Sequence, residues 1–320
     1  MTAEQLDAHL SAAMKRPSSE IRRRVCDGVT VYEKQYTTGD WGADAETVRK
    51  RAEREWQLLQ SIQANNLFTG RLGVVQVAHC DPVSATIATR EIPGQSLEQW
   101  LSRPLRRARS QILPWLLAGR WLQAFQTLPL PESAHESFAE QDPTDLCKYC
   151  DLRLRSLADY GFRWPSGSVR EKLLEFIRQL DQAVPERDRR LVWVHADYAP
   201  GNLMWGDGVL TPIDFAMARA GRPLDDATYL IHRLEMHRIY RPWRQLPVGV
   251  YRRAILRGLG CEGAEHSPAY RVLMIKHLIC RLHTYVRRPA RSLKQALHDR
   301  YVRQVLRQRL QHFARGSSPV

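Results

Sequence analysis

Residues 190–226 read RLVWVHADYAPGNLMWGDGVLTPIDFAMARAGRPLDD, and no other stretch constrains the chain so closely. Leu191 to Val194 is a short apolar run with the length of a buried strand, and His195-Ala196-Asp197 leaves its end. Leu203-Met204-Trp205 and Val209 to Ile213 flank Gly206-Asp207-Gly208, a pattern that predicts a tight β-hairpin. Positions 202 and 214 are mirror images about residue 208, so the hairpin is expected to set Asn202 and Asp214 opposite one another, on the order of 5 Å apart between backbones. Asp197 adds a second carboxylate beside them. Two carboxylates and an amide oxygen make a donor set for a hard cation such as Mg²⁺.

Away from this stretch the periodicity changes once. IRRRVC and VTVYEKQY surround Asp27-Gly28 and predict a second hairpin, with Lys34 on its outgoing strand. Residues 44–63 place Val48, Ala52, Trp56, Leu59 and Ile62 at helical spacing among charges, an amphipathic helix that starts near Asp44. GVVQVAH (73–79) and SATIATREI (84–92) read as further strands, and Ala3 to Met14 as a short leading helix. Beyond Gly94 the spacing is helical, over 97–103, 112–128, 145–160 and 169–183. The fold class is therefore α+β, with a small β-rich segment 1–92, a larger mainly helical segment 93–320, and a hinge near Thr89 to Gly94.

A mixture of 43% hydrophobic and 26% charged residues is that of a globular chain and excludes disorder and fibrous repeats. The N-terminus carries acids where a secretory signal needs a basic segment, and no apolar run is long enough to span a bilayer, so a cytoplasmic location is expected. Six irregularly spaced cysteines read as reduced thiols. Cys147-x-x-Cys150 stands alone, and His277, Cys280 and His283 sit three apart on a helix, so both groups read as packing rather than metal sites. The net charge of +14 favours polyanionic partners, yet residues 281–320 hold ten basic residues against the single acid Asp299. The excess is mostly a property of the C-terminal end. Residues 292–313 form a basic amphipathic helix, read either as docked on the helical segment or as resting on an anionic membrane. With no nucleic-acid-binding motif present, no nucleic acid partner is expected.

Phosphoryl transfer needs a cation on the phosphate oxygens, a carboxylate at the accepting hydroxyl, and a lysine on the phosphates left behind. H-x-D-x-x-x-x-N at 195–202, followed by Ile213-Asp214-Phe215, has that form. The stretch resembles the aminoglycoside phosphotransferase and choline kinase family of small-molecule kinases, whose fold is two-lobed and protein-kinase-like, and it is similar to bacterial lipopolysaccharide-core sugar kinases. The resemblance implies ATP and Mg²⁺ as cofactors, Asp197 as catalytic base, Asn202 and Asp214 as metal ligands, and His195 as a scaffold for the loop. It implies that Lys34 pairs with the ATP phosphates and with a helix glutamate, Glu55 being preferred and Glu53 the alternate. Ile92-Pro93-Gly94-Gln95-Ser96-Leu97 resembles the family's P-G-x-S-L, which implies adenine on backbone groups of Thr89 to Ile92, those of Glu91 and Ile92 included. Gly221-Arg222-Pro223-Leu224-Asp225-Asp226 resembles G-D-P-x-x-D, although both aspartates also read as N-caps of the helix that follows. In order and spacing the resemblance covers about residues 20–230.

Three positions depart from the family pattern. No glycine-rich loop precedes Lys34, the third metal-loop residue is Ala216 rather than glycine, and Phe125-Gln126 stands where the family has Leu-His. The first takes an expected cover from the phosphates; neither of the other two removes a catalytic group. The implied acceptor is a hydroxyl of a small molecule or glycan. Helices beyond residue 230 are rich in cations, so a sugar of an anionic envelope glycan or its precursor is expected first, an aminoglycoside or choline-like amino alcohol second. A catalytically silent kinase-fold binding module is the reading from another class.

Overall fold

A computed structural model describes residues 14–16, 19–26, 28–38, 44–102, 112–135 and 145–315. The first hairpin forms as its turn chemistry dictates. β2 (Ser19–Cys26) and β3 (Val29–Tyr36) pair antiparallel with Cys26 opposite Val29, and Gly28 takes a left-handed φ of 76°. β1 (Met14–Arg16) adds to the open edge of β2, with Met14 opposite Ile21. Met14 is thus in a strand where the sequence predicts the end of a helix, because the edge of β2 satisfies its backbone; residues 3–13 of that expectation lie outside the described residues. β4 (Val77–Asp81) and β5 (Thr86–Arg90) complete a sheet of order β1-β2-β3-β5-β4.

The strand predicted from residue 73 begins only at Val77. The Gly73 N–H donates to the Leu210 carbonyl (2.7 Å), and its own carbonyl accepts from Trp121 Nε1 (3.0 Å), so this backbone is tied to the helical body instead of the sheet. α1 (Ala45–Ala64) starts where Asp44 accepts a hydrogen bond from the Thr47 N–H (2.7 Å). Its first half packs Val48 and Ala52 with Tyr36, Ala85 and Ile87 in a small core under the sheet. Its second half sends Leu58, Leu59 and Ile62 into the large core of the helical body.

β6 (Gln95–Ser96) and α2 (Leu97–Leu101) follow, with a Ser96–Gln99 capping box between them. The helical body comprises α3 (Leu113–Phe125), α4 (Leu146–Ser156), α5 (Gly167–Gln182), α6 (Glu186–Arg189), α7 (Asp225–Tyr240), α8 (Val248–Leu259), α9 (Pro268–Arg287) and α10 (Leu293–Ala314). α3 and α8 cross in contact because both are glycine at the crossing: a Cβ on Gly119 or Gly258 would stand 2.0 Å from the carbonyl oxygen of Ile255 or Leu116. Between α6 and α7 lie four short strands, β7 (Val192–Val194), β8 (Leu203–Gly206), β9 (Val209–Pro212) and β10 (Arg219–Gly221). β10 pairs with β7, and β6 joins the β8–β9 hairpin. Beneath them the Trp121 ring lies tilted against Phe125 at 5.0 Å and Phe215 at 5.7 Å, ring centre to ring centre. Truncating a fully buried ring of this size costs about 3–5 kcal/mol, which anchors the loops above it.

Candidate active site between the sheet and the helical body

The β8–β9 hairpin has a two-residue turn. Gly206 lies opposite Val209, and Asp207 and Gly208 between them both take positive φ (51° and 78°). The hairpin is therefore centred between 207 and 208, and Asn202 faces Ile213, whose N–H it accepts (2.9 Å), rather than Asp214. The expected pairing is one residue out of register, because it centres the hairpin on residue 208. Asp214, one step further, turns away with a φ of 66° and points its carboxylate at the sheet.

There it meets Lys34. The Lys34 ammonium lies 2.6 Å from Asp214 Oδ1 and 3.3 Å from Glu55 Oε2. Burial works against that charge, yet Glu55, Tyr36 and Asp214 outweigh it and hold the ammonium protonated well above the ordinary lysine range. Glu55, only 5% exposed, also accepts the Phe215 N–H (2.8 Å) and the Tyr36 hydroxyl. One carboxylate of α1 thus joins β3 to the segment carrying Asp214, while Glu53 is exposed.

Asp197 is oriented from two sides. The Asn202 side-chain amide donates to its carbonyl and to Oδ2 (2.9 Å each), and the Tyr229 hydroxyl donates to Oδ1 (3.1 Å). Burial, and then the Asp197 charge, push the Tyr229 hydroxyl up to about 12, so it stays a donor. His195 is fully buried. Its Nδ1 faces the Asp197 N–H (3.4 Å), so the proton sits on Nε2 and is donated to the Ile213 carbonyl (2.9 Å), which locks the two loops together.

Ala196 has a φ of 63°, a conformation that costs a non-glycine residue about 1–3 kcal/mol unless the surroundings enforce it. Asp226 enforces it, accepting the N–H groups of His195 (2.6 Å) and Ala196 (2.9 Å). The two aspartates are therefore not caps of their own helix. They are its first two residues: the Asp226 side chain leans back onto residues 195–196, while Asp225 accepts the Arg222 N–H of the preceding loop (3.3 Å) and pairs with the buried Lys276 of α9.

Burial raises the Asp226 carboxyl to about 6. An unfolded aspartate ionises near pH 4, so the folded chain binds this proton more tightly. The sign follows: the group favours folding below about pH 4, and that favour is lost as pH rises towards 6, an effect on the order of 3 kcal/mol. Asp225 acts oppositely. Burial alone would raise it, but Lys276 and Arg219 bring it down to about 2, so its contribution is present above pH 4 and lost below. Asp226→Asn is expected to abolish the loss of stability between pH 4 and 6 in urea unfolding; a variant that retains the wild-type slope contradicts this account.

Lys34, Glu55, Asn202 and Asp214 line one cleft of about 480 Å³ between sheet and helical body, walled by Val75, Ile87 and Met204. Its far edge is the linker after β5. Glu91 and Ile92 lie there, but the Glu91 N–H already donates to the Thr30 carbonyl (2.9 Å), and its carboxylate takes a two-pronged contact from Arg23 (3.1 and 3.2 Å) that lowers its pKa. Both residues line the cleft. Sequence reasoning missed Tyr36 and Tyr229. Tyr36 was accessible to it, since it is two residues from Lys34 and thus on the same strand face; nothing local marks Tyr229.

The model of the APH phosphotransferase enzyme family matches residues 48–273, more than half of the chain. The chain belongs to this phosphotransferase family. No curated protein matches the sequence. Among solved structures, the chain is similar to an amicoumacin kinase in complex with AMP-PNP, Ca²⁺ and Ami, at 12% identity and a TM-score of 0.59 over 94% of this chain and 89% of that one. It is also similar to ADP-bound aminoglycoside phosphotransferase APH(2'')-Ib, at 14% identity and a TM-score of 0.58 over 97% of each chain. A thermostable mutant of APH(4)-Ia in ternary complex with ADP and hygromycin B aligns over 99% of each chain at 15% identity and a TM-score of 0.58. These likenesses bear out the expected two-lobed, kinase-like α+β fold.

Proposed function

We propose that this phosphotransferase transfers the γ-phosphoryl group of ATP to a hydroxyl of a small, non-protein acceptor. The carrying observation is the convergence on one cleft of Lys34, clamped between Glu55 and Asp214, with Asn202, which in turn holds Asp197. In this reading Lys34 neutralises the phosphates that stay on the nucleotide, and the linker backbone at Glu91 and Ile92 receives adenine. Asp197, held by Asn202 and Tyr229, takes the proton from the acceptor hydroxyl as its oxygen bonds to phosphorus and the bridging bond to ADP breaks. Asn202 and Asp214 fit Mg²⁺ by donor type: both offer hard oxygens, and the amide hydrogens of Asn202 are committed to Asp197, which leaves its oxygen for a cation. Asn202 and Asp214 would hold such an ion, which would offset the charge of the phosphates. ATP consumption by the purified chain across an acceptor panel is the direct test; nucleotide binding without turnover on any acceptor would favour a silent binding module.

The finer reading is an acceptor that is neutral or anionic, a sugar of an anionic envelope glycan or its precursor being the leading choice. Tyr229, which touches Asp197, shares a face of α7 with Arg233 one turn on. Arg281 lies one turn beyond His277, whose ring centre is 5.4 Å from that of Tyr229. Both arginines are half-buried, and among the described residues neither pairs with a carboxylate. A cationic antibiotic would meet repulsion there, and a phosphorylated or carboxylated sugar would not. Arg233→Gln combined with Arg281→Gln is expected to raise KM for a sugar phosphate by about tenfold or more, with KM for ATP unchanged. A preference of the unaltered chain for aminoglycosides or choline would overturn this acceptor class and leave the transfer chemistry standing.

A further inference from the structure

α10 carries two apolar rows. Val302, Leu306, Leu310 and Phe313 are buried in the large core and dock the helix. A second row, Leu293, Leu297 and Tyr301, spaced one turn apart, is 78%, 59% and 46% exposed. Two leucines and a tyrosine aligned on a helix face are not scattered surface apolar residues; they form a stripe.

The stripe is set in positive charge. Residues 287–294, which lead into and open α10, are all exposed, and they bring Arg287, Arg288, Arg291 and Lys294 to its head; Arg300, the residue before Tyr301, is exposed as well. Among the described residues none of these five side chains pairs with a carboxylate. Asp299, the single acid after residue 280, is 3% exposed and faces inward, so it does not offset them at the surface.

A partner must cover apolar area and supply negative charge together. We propose that the N-terminal part of α10, with the loop before it, docks on an anionic lipid bilayer. Leu293 and Leu297 enter the boundary between headgroups and acyl chains, Tyr301 sits at that boundary with its hydroxyl towards water, and the cations meet lipid phosphates within a Debye length. Nucleic acid offers the charge without the apolar counterpart. A second copy of this chain offers apolar area but repeats the same cations.

The inference is independent of the phosphotransfer reading, and its test uses neither ATP nor an acceptor. The full chain is sedimented with vesicles of phosphatidylcholine alone and with about 30% phosphatidylglycerol. Binding to the anionic vesicles should be at least about tenfold tighter, should weaken with salt, and should fall by about tenfold in either Leu293→Ser/Leu297→Ser or Arg288→Gln/Arg291→Gln. These side chains are exposed, so the variants should keep the wild-type circular dichroism and melting temperature. Equal binding to both vesicles, no binding, tighter binding to RNA than to anionic vesicles, or a solution dimer that the leucine variant dissociates would each overturn the proposal.

Discussion

Asp197→Ala is expected to lower turnover by about three orders of magnitude while nucleotide affinity stays within a few-fold, the range found when a positioned general base is removed. The asymmetry comes from what the carboxylate touches. Its oxygens are engaged by Asn202 (2.9 Å) and Tyr229 (3.1 Å), and it is absent from the lining of the cleft that holds Lys34 and Asp214. Phosphoryl transfer and nucleotide binding should therefore separate cleanly when rate and equilibrium binding are measured on the same preparation. Loss of nucleotide affinity in proportion to rate would remove Asp197 from the role of base. Tyr229→Phe supplies a graded control, because it deletes one orienting hydrogen bond and leaves the carboxylate in place.

Asp214→Ala should give the complementary result. It removes the charged oxygen donor proposed for the cation and also the nearest partner of the Lys34 ammonium, at 2.6 Å. Titrating nucleotide with Mg²⁺ present and with the metal chelated should show the two curves, well separated in the unaltered chain, collapsing onto the weaker one, a change of about a hundredfold or more in the presence of metal. If Mg²⁺ still tightened nucleotide binding in the variant, the cation would have to be held elsewhere. Lys34→Ala should weaken nucleotide binding with or without metal, which distinguishes loss of a phosphate contact from loss of a metal ligand.

Much of the site could be read from residue types alone, and the reason is local. His195, Asp197 and Asn202 fall within eight residues of a strand, turn and hairpin, so short-range rules place them near one another before any packing is known. Those rules erred where a single residue matters: the turn at Asp207-Gly208 has two residues, and that shifts Asp214 off the position facing Asn202. Glu55 illustrates the opposite limit. In sequence it is one charge among many on an amphipathic helix, and its contacts with Lys34, Tyr36 and Phe215 span 21, 19 and 160 residues. Asp226 was legible as a helix-starting residue but not as the support of the strained Ala196, since no local rule reports a contact made 30 residues away.

α1 has its first half in the core under the sheet and its second half in the core of the helical body, with Glu55 between the two. A helix embedded at both ends is a stiff rod that cannot follow either lobe alone. Any rocking of the sheet over the body must swing about this rod, and points near a pivot travel least. Lys34, paired with Glu55 at that pivot, and Asp214, paired with Lys34 and followed by Phe215 whose N–H donates to Glu55, would keep their spacing through such a swing, while the linker at Glu91 and Ile92, farther from the axle, would open and close the mouth of the cleft.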